Sequence, residues 1–223
     1  MRVRVTTTIL GITATLLAVP ACSTDSDSAP SARTGMPVSD AAVLSSAALE
    51  ARLLDESDLG SGYLRKPEPS SQHDDVTVIG CPALNELGGD AATGGSLTFP
   101  REAKASFTFG GSAVEVSEEL YSDSASKLSD GLDRIFEAMT GCPTYQVVAG
   151  GTPIDMASQK LTPPRRLGDE QWSQLLTFST GARSTVVKQT AIRAGSLLLV
   201  VSGSPALVDR HLDKALDKAT ARS

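Results

Sequence analysis

Residues 172–202, WSQLLTFSTGARSTVVKQTAIRAGSLLLVVS, hold three apolar-rich runs separated only by turn signals. Trp172–Thr180, Ser184–Arg193 and Ser196–Ser202 read as strands, broken at Gly181 and at Ala194-Gly195. Turns this tight permit only antiparallel pairing, because a parallel crossover needs a dozen residues or more. Upstream, Tyr145–Ala149 turns at Gly150-Gly151 into Ile154–Leu161, and Pro163-Pro164 stops that run. Downstream, Ser204-Pro205 has the form of a cap followed by a first-turn proline. It opens a helix whose expected buried face is Val208, Leu212, Ala215, Leu216 and Ala219. The C-terminal half is therefore a strand meander closed by a helix.

The N-terminal half adds the same ingredients. Ala103, Ala105, Phe107 and Phe109 alternate along one run, Val114, Val116 and Leu120 along another. Gly110-Gly111 between them predicts a hairpin. Ser122 or Asp123 is expected to cap a helix in which Leu128, Leu132, Ile135, Phe136 and Met139 form an apolar stripe, ended by Gly141. An earlier helix is expected from Ser39 or Asp40 through Leu44, Ala47, Ala48, Ala51 and Leu54. A short turn at Asp55–Leu59, broken by Gly60-Ser61-Gly62-Tyr63, a Val76–Ile79 strand and a brief helix from Pro82 to Leu87 complete the pattern. The predicted class is α+β, an antiparallel sheet flanked by amphipathic helices.

Composition removes several functions. The 223 residues carry a formal charge of −6, which opposes a general nucleic-acid binder. With 5 Phe, 3 Tyr and 1 Trp, a base- or sugar-stacking platform has too few rings. Two histidines, His73 and His211, rule out a multi-histidine metal centre.

The first 22 residues state an address. Arg2 and Arg4 precede an uncharged, mostly apolar stretch from Ile9 to Val19, too short for a stable span. Val19-Pro20-Ala21-Cys22 resembles the lipobox of bacterial lipoproteins, with Pro20 departing at the loosest position of the motif. The resemblance implies cleavage before Cys22 and diacylglycerol on its thiol. The alternative is an ordinary secretory signal cut after Ala21. Residues 1–21 are then the signal peptide, and 22–38 the lipidated cysteine with a polar, Ser-rich tether. Residues 39–223 form the extracytoplasmic domain. Losing Arg2 and Arg4 takes the charge from −6 to −8, so no polybasic patch supports the anchor. A flexible coil of the 16 residues 23–38 reaches about 20–25 Å.

Beyond Cys22 two thiols remain, Cys81 and Cys142. Outside the cytoplasmic membrane an even pair reads as a disulfide, and a spacing of 61 without a companion ligand fits no zinc pattern.

Candidates for chemistry are few. His73 lies beside Asp74 and Asp75 in a Pro/Ser-rich loop, and His211 lies off the expected apolar stripe of the last helix. Both read as solvated, with no nucleophile elbow near either. Three adjacent ligands at 73–75 do not face one ion, so no metal or cofactor is expected. Glu115, Glu118 and Glu119 read as a solvated strand face rather than an acid/base pair, and no catalytic residue is assigned. Between Pro163 and Trp172, however, Arg165-Arg166, Asp169-Glu170 and the sole indole meet in one loop. Arg165, Arg166, Asp169 and Trp172 are the candidate ligand-binding residues, at one mouth of a cleft. The competing reading is core packing for Trp172 and solvated charges for the rest.

Leu53-Leu54, Asp58–Tyr63, the helix-opening Cys81, the helix ending at Gly141-Cys142, Leu167–Glu170 before a meander and the closing helix occur in an order that resembles a known family. That family is the extracellular sensor domain of actinobacterial membrane serine/threonine kinases (the PknH-like extracellular domain), with the stand-alone lipoproteins that share it. The resemblance covers roughly 41–220. It implies an antiparallel sheet flanked by helices, with a cleft for an unidentified ligand. The chain departs from the pattern in having one expected disulfide where members often have two, and no kinase domain. The expectation is a lipid-anchored envelope lipoprotein, not an enzyme, with a sensor-like domain held at the extracytoplasmic face of the cell membrane. Its partners would be the membrane, through Cys22, and a small ligand or an envelope protein, with no nucleic acid. The alternative is a structural or protein-partner lipoprotein without a small ligand.

Overall fold

Among the described residues nine strands pair in the order β1-β3-β4-β9-β8-β7-β6-β5-β2, every neighbour antiparallel. The structure, a computed structural model, describes residues 42–67, 76–88, 99–111 and 114–221. Cys22, the signal and tether, and His73-Asp74-Asp75 lie outside them. The strands are β1 (Tyr63–Lys66), β2 (Thr77–Ile79), β3 (Glu102–Phe109), β4 (Glu115–Ser122), β5 (Thr144–Ala149), β6 (Thr152–Lys160), β7 (Glu170–Thr180), β8 (Arg183–Ala194) and β9 (Leu197–Gly203). The helices are α1 (Ser46–Glu50), α2 (Glu56–Leu59), α3 (Pro82–Leu87), α4 (Ala125–Gly141) and α5 (Pro205–Thr220). The fold is α+β, and β5 to β9 form the meander.

The helices divide between the two faces of the sheet. α5 lies on β9, β8 and β4, and α1 on β3 and β4. Phe107, Val116, Leu120, Leu199 and Val201 supply the sheet side of that core, Leu207, Val208, Ala215 and Ala219 the helix side. On the opposite face α4 and α3 cover the other end of the sheet. Leu128, Leu132 and Phe136 of α4 meet Tyr121, Ala191, Leu198 and Val200. Met139 of α4 and Leu84 of α3 meet Tyr145, Val147, Met156 and Leu176. The stripe expected on α4 is the one it buries, with Ile135 at its margin. A disulfide joins Cys81, just before α3, to Cys142 at the end of α4, with the Cα atoms 5.8 Å apart.

Four expectations need correction. The first helix starts at Ser46, capped by Ser45, because the Leu44 N–H bonds Ser122 Oγ at 2.9 Å instead of entering a helix. Ser124, not Ser122 or Asp123, caps α4; Ser122 Oγ donates to the Ser196 carbonyl and Asp123 accepts from the Ser124 N–H. His211 is not a surface residue. It lies in the buried stripe of α5, its Nε2 sharing a 2.6 Å hydrogen bond with the Tyr63 hydroxyl, while Leu212 and Leu216 are only partly buried. Glu118 is not solvated either: it points between Val116 and Leu120 into the core and is 1% exposed. In addition Tyr63–Lys66, to which the sequence reading assigned no strand, forms β1 and pairs with β3.

Candidate functional site

β6 and β7 are adjacent, yet their connection runs over residues 161–169. Pro163-Pro164 cannot continue the ladder, and Leu167 tucks its side chain against the α5 core. The Leu167 N–H donates to Gln171 Oε1 at 2.8 Å, and the Asp169 N–H to the Arg193 carbonyl at 2.8 Å. Gly168 makes this approach possible. It has φ +63°, and a Cβ there would stand 2.4 Å from the Arg193 carbonyl oxygen.

The loop and the strand ends beside it enclose a concave pocket of about 420 Å³. Lys160, Arg165 and Arg166 bring three cations to its lining; Leu161, Pro163 and Trp172 bring apolar surface. Trp172 is half-buried. One face stacks on Phe136 of α4, with centroids 5.6 Å apart and planes 14° from parallel. The Lys160 ammonium rests 3.9 Å from the Trp172 ring centre, a cation–π contact. The indole is thus both core margin and pocket wall.

The charges differ in how firmly they are committed. Arg193, its side chain 12% exposed, donates to Asp169 Oδ2 at 3.1 Å, to Glu170 Oε1 at 3.0 Å and to the Gly195 carbonyl at 3.2 Å. Asp169 Oδ2 also accepts from the Gly195 N–H, so this carboxylate ties the loop to the β8–β9 turn. Glu170 accepts from Ser129 of α4, and its hydrogen bond to Arg193 holds its pKa below the usual range. Arg165 pairs with Asp213 of α5, both side chains more than half exposed. Arg166 donates to the Asp169 carbonyl. Among the described residues neither Lys160 nor Arg166 forms an ion pair.

The structure brings Arg165, Arg166 and Trp172 together on the pocket. It leaves Asp169 outside the lining as a clamp. Lys160, which shares the pocket, was missed because only the β6–β7 register, Lys160 opposite Gln174, carries it beside Trp172. Arg193 was missed for a similar reason: its register opposite Glu170 gives it its role.

The other polar centre is Glu118. Its Oε2 accepts the Leu54 N–H at 2.6 Å, its Oε1 has no partner, and burial pushes its pKa up to about 7. Lys218 of α5 acts against that rise and is itself bound to Asp55 and Asp58 around α2. Glu118 is buried and lines neither the pocket beside Trp172 nor the concavity at Tyr145 and Met156, so it reads as a structural acid.

No family model matches the chain, and no curated protein is a significant match. Its fold does match the crystal structure of the extracellular domain of PknH from Mycobacterium tuberculosis. The TM-score is 0.60 with 16% sequence identity, over 80% of this chain and 97% of that one. The chain shares the fold of that domain. The resemblance read from short motifs thus holds at the level of architecture, over nearly the whole of the solved domain. Among the described residues no helix is long and apolar enough to cross a membrane.

Proposed function

We propose that this protein is a lipid-anchored envelope lipoprotein whose folded unit is a sensor-like, ligand-binding module at the extracytoplasmic face of the membrane. The observation that carries the reading is the pocket at Lys160, Arg165, Arg166 and Trp172. It sets apolar lining beside three cations held only by an exposed carboxylate, a backbone carbonyl and a ring face, in a fold shared with a kinase's extracellular domain. The Arg2/Arg4 n-region and Val19-Pro20-Ala21-Cys22 support the anchor. The disulfide accords with an oxidising compartment. The protein-partner alternative has less support. Exposed large apolar side chains among the described residues are Val43, Leu64, Ile79, Val114 and Val186, each on a different segment of the chain.

Mass spectrometry of the membrane fraction tests the anchor: the mature chain is expected to begin at a diacylated Cys22. An unmodified Cys22, or another N-terminus, refutes it. A thermal-shift screen of the mature chain tests the module, since a ligand at 100 times its Kd adds about 2.7 kcal/mol of stability. Hits that shift the wild type and the Trp172→Ala variant equally refute the pocket.

A further inference from the structure

The pocket sits at one particular end of the sheet. β6 ends at Lys160, β7 begins at Glu170, β8 ends at Ala194, β9 begins at Leu197 and β4 ends at Ser122. The antiparallel registers Glu170↔Arg193, Ala194↔Leu197 and Ser122↔Leu197 place all of these at the same end. The described chain also starts there. The Ala42 carbonyl accepts from Ser196 Oγ at 3.1 Å, and the Leu44 N–H donates to Ser122 Oγ at 2.9 Å. Whatever precedes Ala42 is therefore joined to the end of the sheet that carries the pocket. Three strand spacings separate the start of β9 from the end of β6, about 14 Å. On the anchored reading, a lipid on Cys22 would be linked to the folded unit from this end of the sheet, through a tether with a reach of about 20–25 Å.

The pocket's chemistry fits what that location offers. Three cations face one carboxylate, Glu170, whose charge is already answered by Arg193. The Arg165–Asp213 pair is exposed on both sides, and such pairs contribute little, so an incoming anion can take Arg165 over cheaply. Lys160 and Arg166 have no ion pair to give up among the described residues. Arginine forks suit phosphate and carboxylate oxygens. Beside them, Leu161, Pro163 and the Trp172 ring offer surface for an apolar body.

We propose that the pocket takes the acidic head group of a membrane amphiphile, a phosphate or carboxylate held by Lys160, Arg165 and Arg166, with the adjoining apolar part against Leu161, Pro163 and Trp172. This rests on the anchored-module reading above and adds the ligand's class and the direction from which it comes. It also supplies its own reporter. Trp172 is the sole indole, and an anion that draws the Lys160 ammonium off its ring changes its emission.

The test uses the mature chain, residues 22–223 with Cys22→Ser, titrated with dodecyl phosphate below its micelle concentration, inorganic phosphate, and phosphatidylglycerol or phosphatidylcholine vesicles. Trp172 emission is expected to respond to dodecyl phosphate and to phosphatidylglycerol, and not to phosphatidylcholine. Inorganic phosphate is expected to bind at least 100-fold more weakly than dodecyl phosphate. The Arg165→Ala/Arg166→Ala double variant and, separately, Lys160→Gln are expected to weaken dodecyl phosphate binding at least tenfold with the melting temperature unchanged. Equal response to phosphatidylcholine overturns the proposal, as does inorganic phosphate binding as tightly as the alkyl phosphate. So does anion binding indifferent to both variants. Loss of this inference alone is recognised when a neutral hit from the thermal-shift screen still requires Trp172; loss of the module reading leaves no ligand that does.

Discussion

Replacing Glu118 with Gln should change how stability depends on pH. The side chain is buried beneath the α1–α2 junction, accepts the Leu54 N–H through Oε2 and leaves Oε1 unpartnered. Burial raises its pKa from 4.5 to about 7. In that interval the folded chain holds a proton that the unfolded chain releases, so stability falls as pH rises through it. Below about pH 4.5 the contribution is fully present, and above about pH 7 it is gone. A shift of about 2.5 pH units at about 1.4 kcal/mol each amounts to roughly 3 kcal/mol. Gln keeps a carbonyl for Leu54 and carries no charge at any pH. The gap in unfolding free energy between Glu118→Gln and wild type should therefore grow in the variant's favour by about 3 kcal/mol between pH 4.5 and pH 8. For a domain of this size that is about 6–12 °C in Tm. Asp58, its pKa lowered, and Lys218, its pKa raised, keep their charges across this range, and His211 is common to both proteins, so the difference isolates the carboxyl. Urea unfolding followed by Trp172 emission at steps across this range measures it. A gap that stays constant with pH would falsify the assignment of a buried, raised carboxyl.

The disulfide closes a long loop, and the Cys81→Ala/Cys142→Ala variant should lose roughly 4 kcal/mol on the chain-entropy account, read as a lower urea midpoint. Two free, alkylatable thiols in protein taken from the envelope would sink the bridge itself. Gly168→Ala places a methyl 2.4 Å from the Arg193 carbonyl oxygen at a positive φ. It should cost about 2 kcal/mol or more and shift the 161–169 loop, which weakens any ligand that needs Arg165 and Arg166. Unchanged stability and unchanged binding together would show that the loop's close approach to β8 is dispensable.

What was legible in the sequence follows the range of the forces involved. α4 and the meander announce themselves through local periodicity and glycine turns, and they hold the positions read for them to within two residues. The buried stripe of α5 was read with Leu212 and Leu216 in it and His211 out, because a helix wheel ranks side chains by hydrophobicity alone. The Tyr63 hydroxyl that makes His211 tolerable in the core lies 148 residues away in sequence. Glu118 hid for the same reason. Its alternation with Val116 and Leu120 put it on the core face, but an acid there is acceptable only because the Leu54 N–H meets it from 64 residues away. β1, Tyr-Leu-Arg-Lys, lacks apolar alternation altogether; its extended form comes from pairing with β3 and from Glu56 accepting the Arg65 N–H. The pocket was half legible: the loop's residues are contiguous, whereas Lys160 and Arg193 join it only through strand register.

The case for a site at this loop, over ordinary surface, rests on the economy of the rest of the meander. β5 and β6 are joined by Gly150-Gly151, β7 and β8 by Gly181-Ala182, and β8 and β9 by Gly195-Ser196, each a two-residue turn. Only the β6–β7 connection within the meander is long, nine residues from Leu161 to Asp169, where the strand pairing would be satisfied by two. The excess is not slack. Leu167 is anchored in the core, Gly168 lies against β8, and Asp169 is clamped by Arg193 and the Gly195 N–H. A segment fixed so firmly at its C-terminal half still presents Arg165 and Arg166 to solvent beside a half-buried indole. Packing alone accounts for the anchors. Asp213 and the Asp169 carbonyl hold the two guanidinium groups in place, and the proposed anion recognition would give a use to their position beside a concavity with Leu161, Pro163 and Trp172 in its lining.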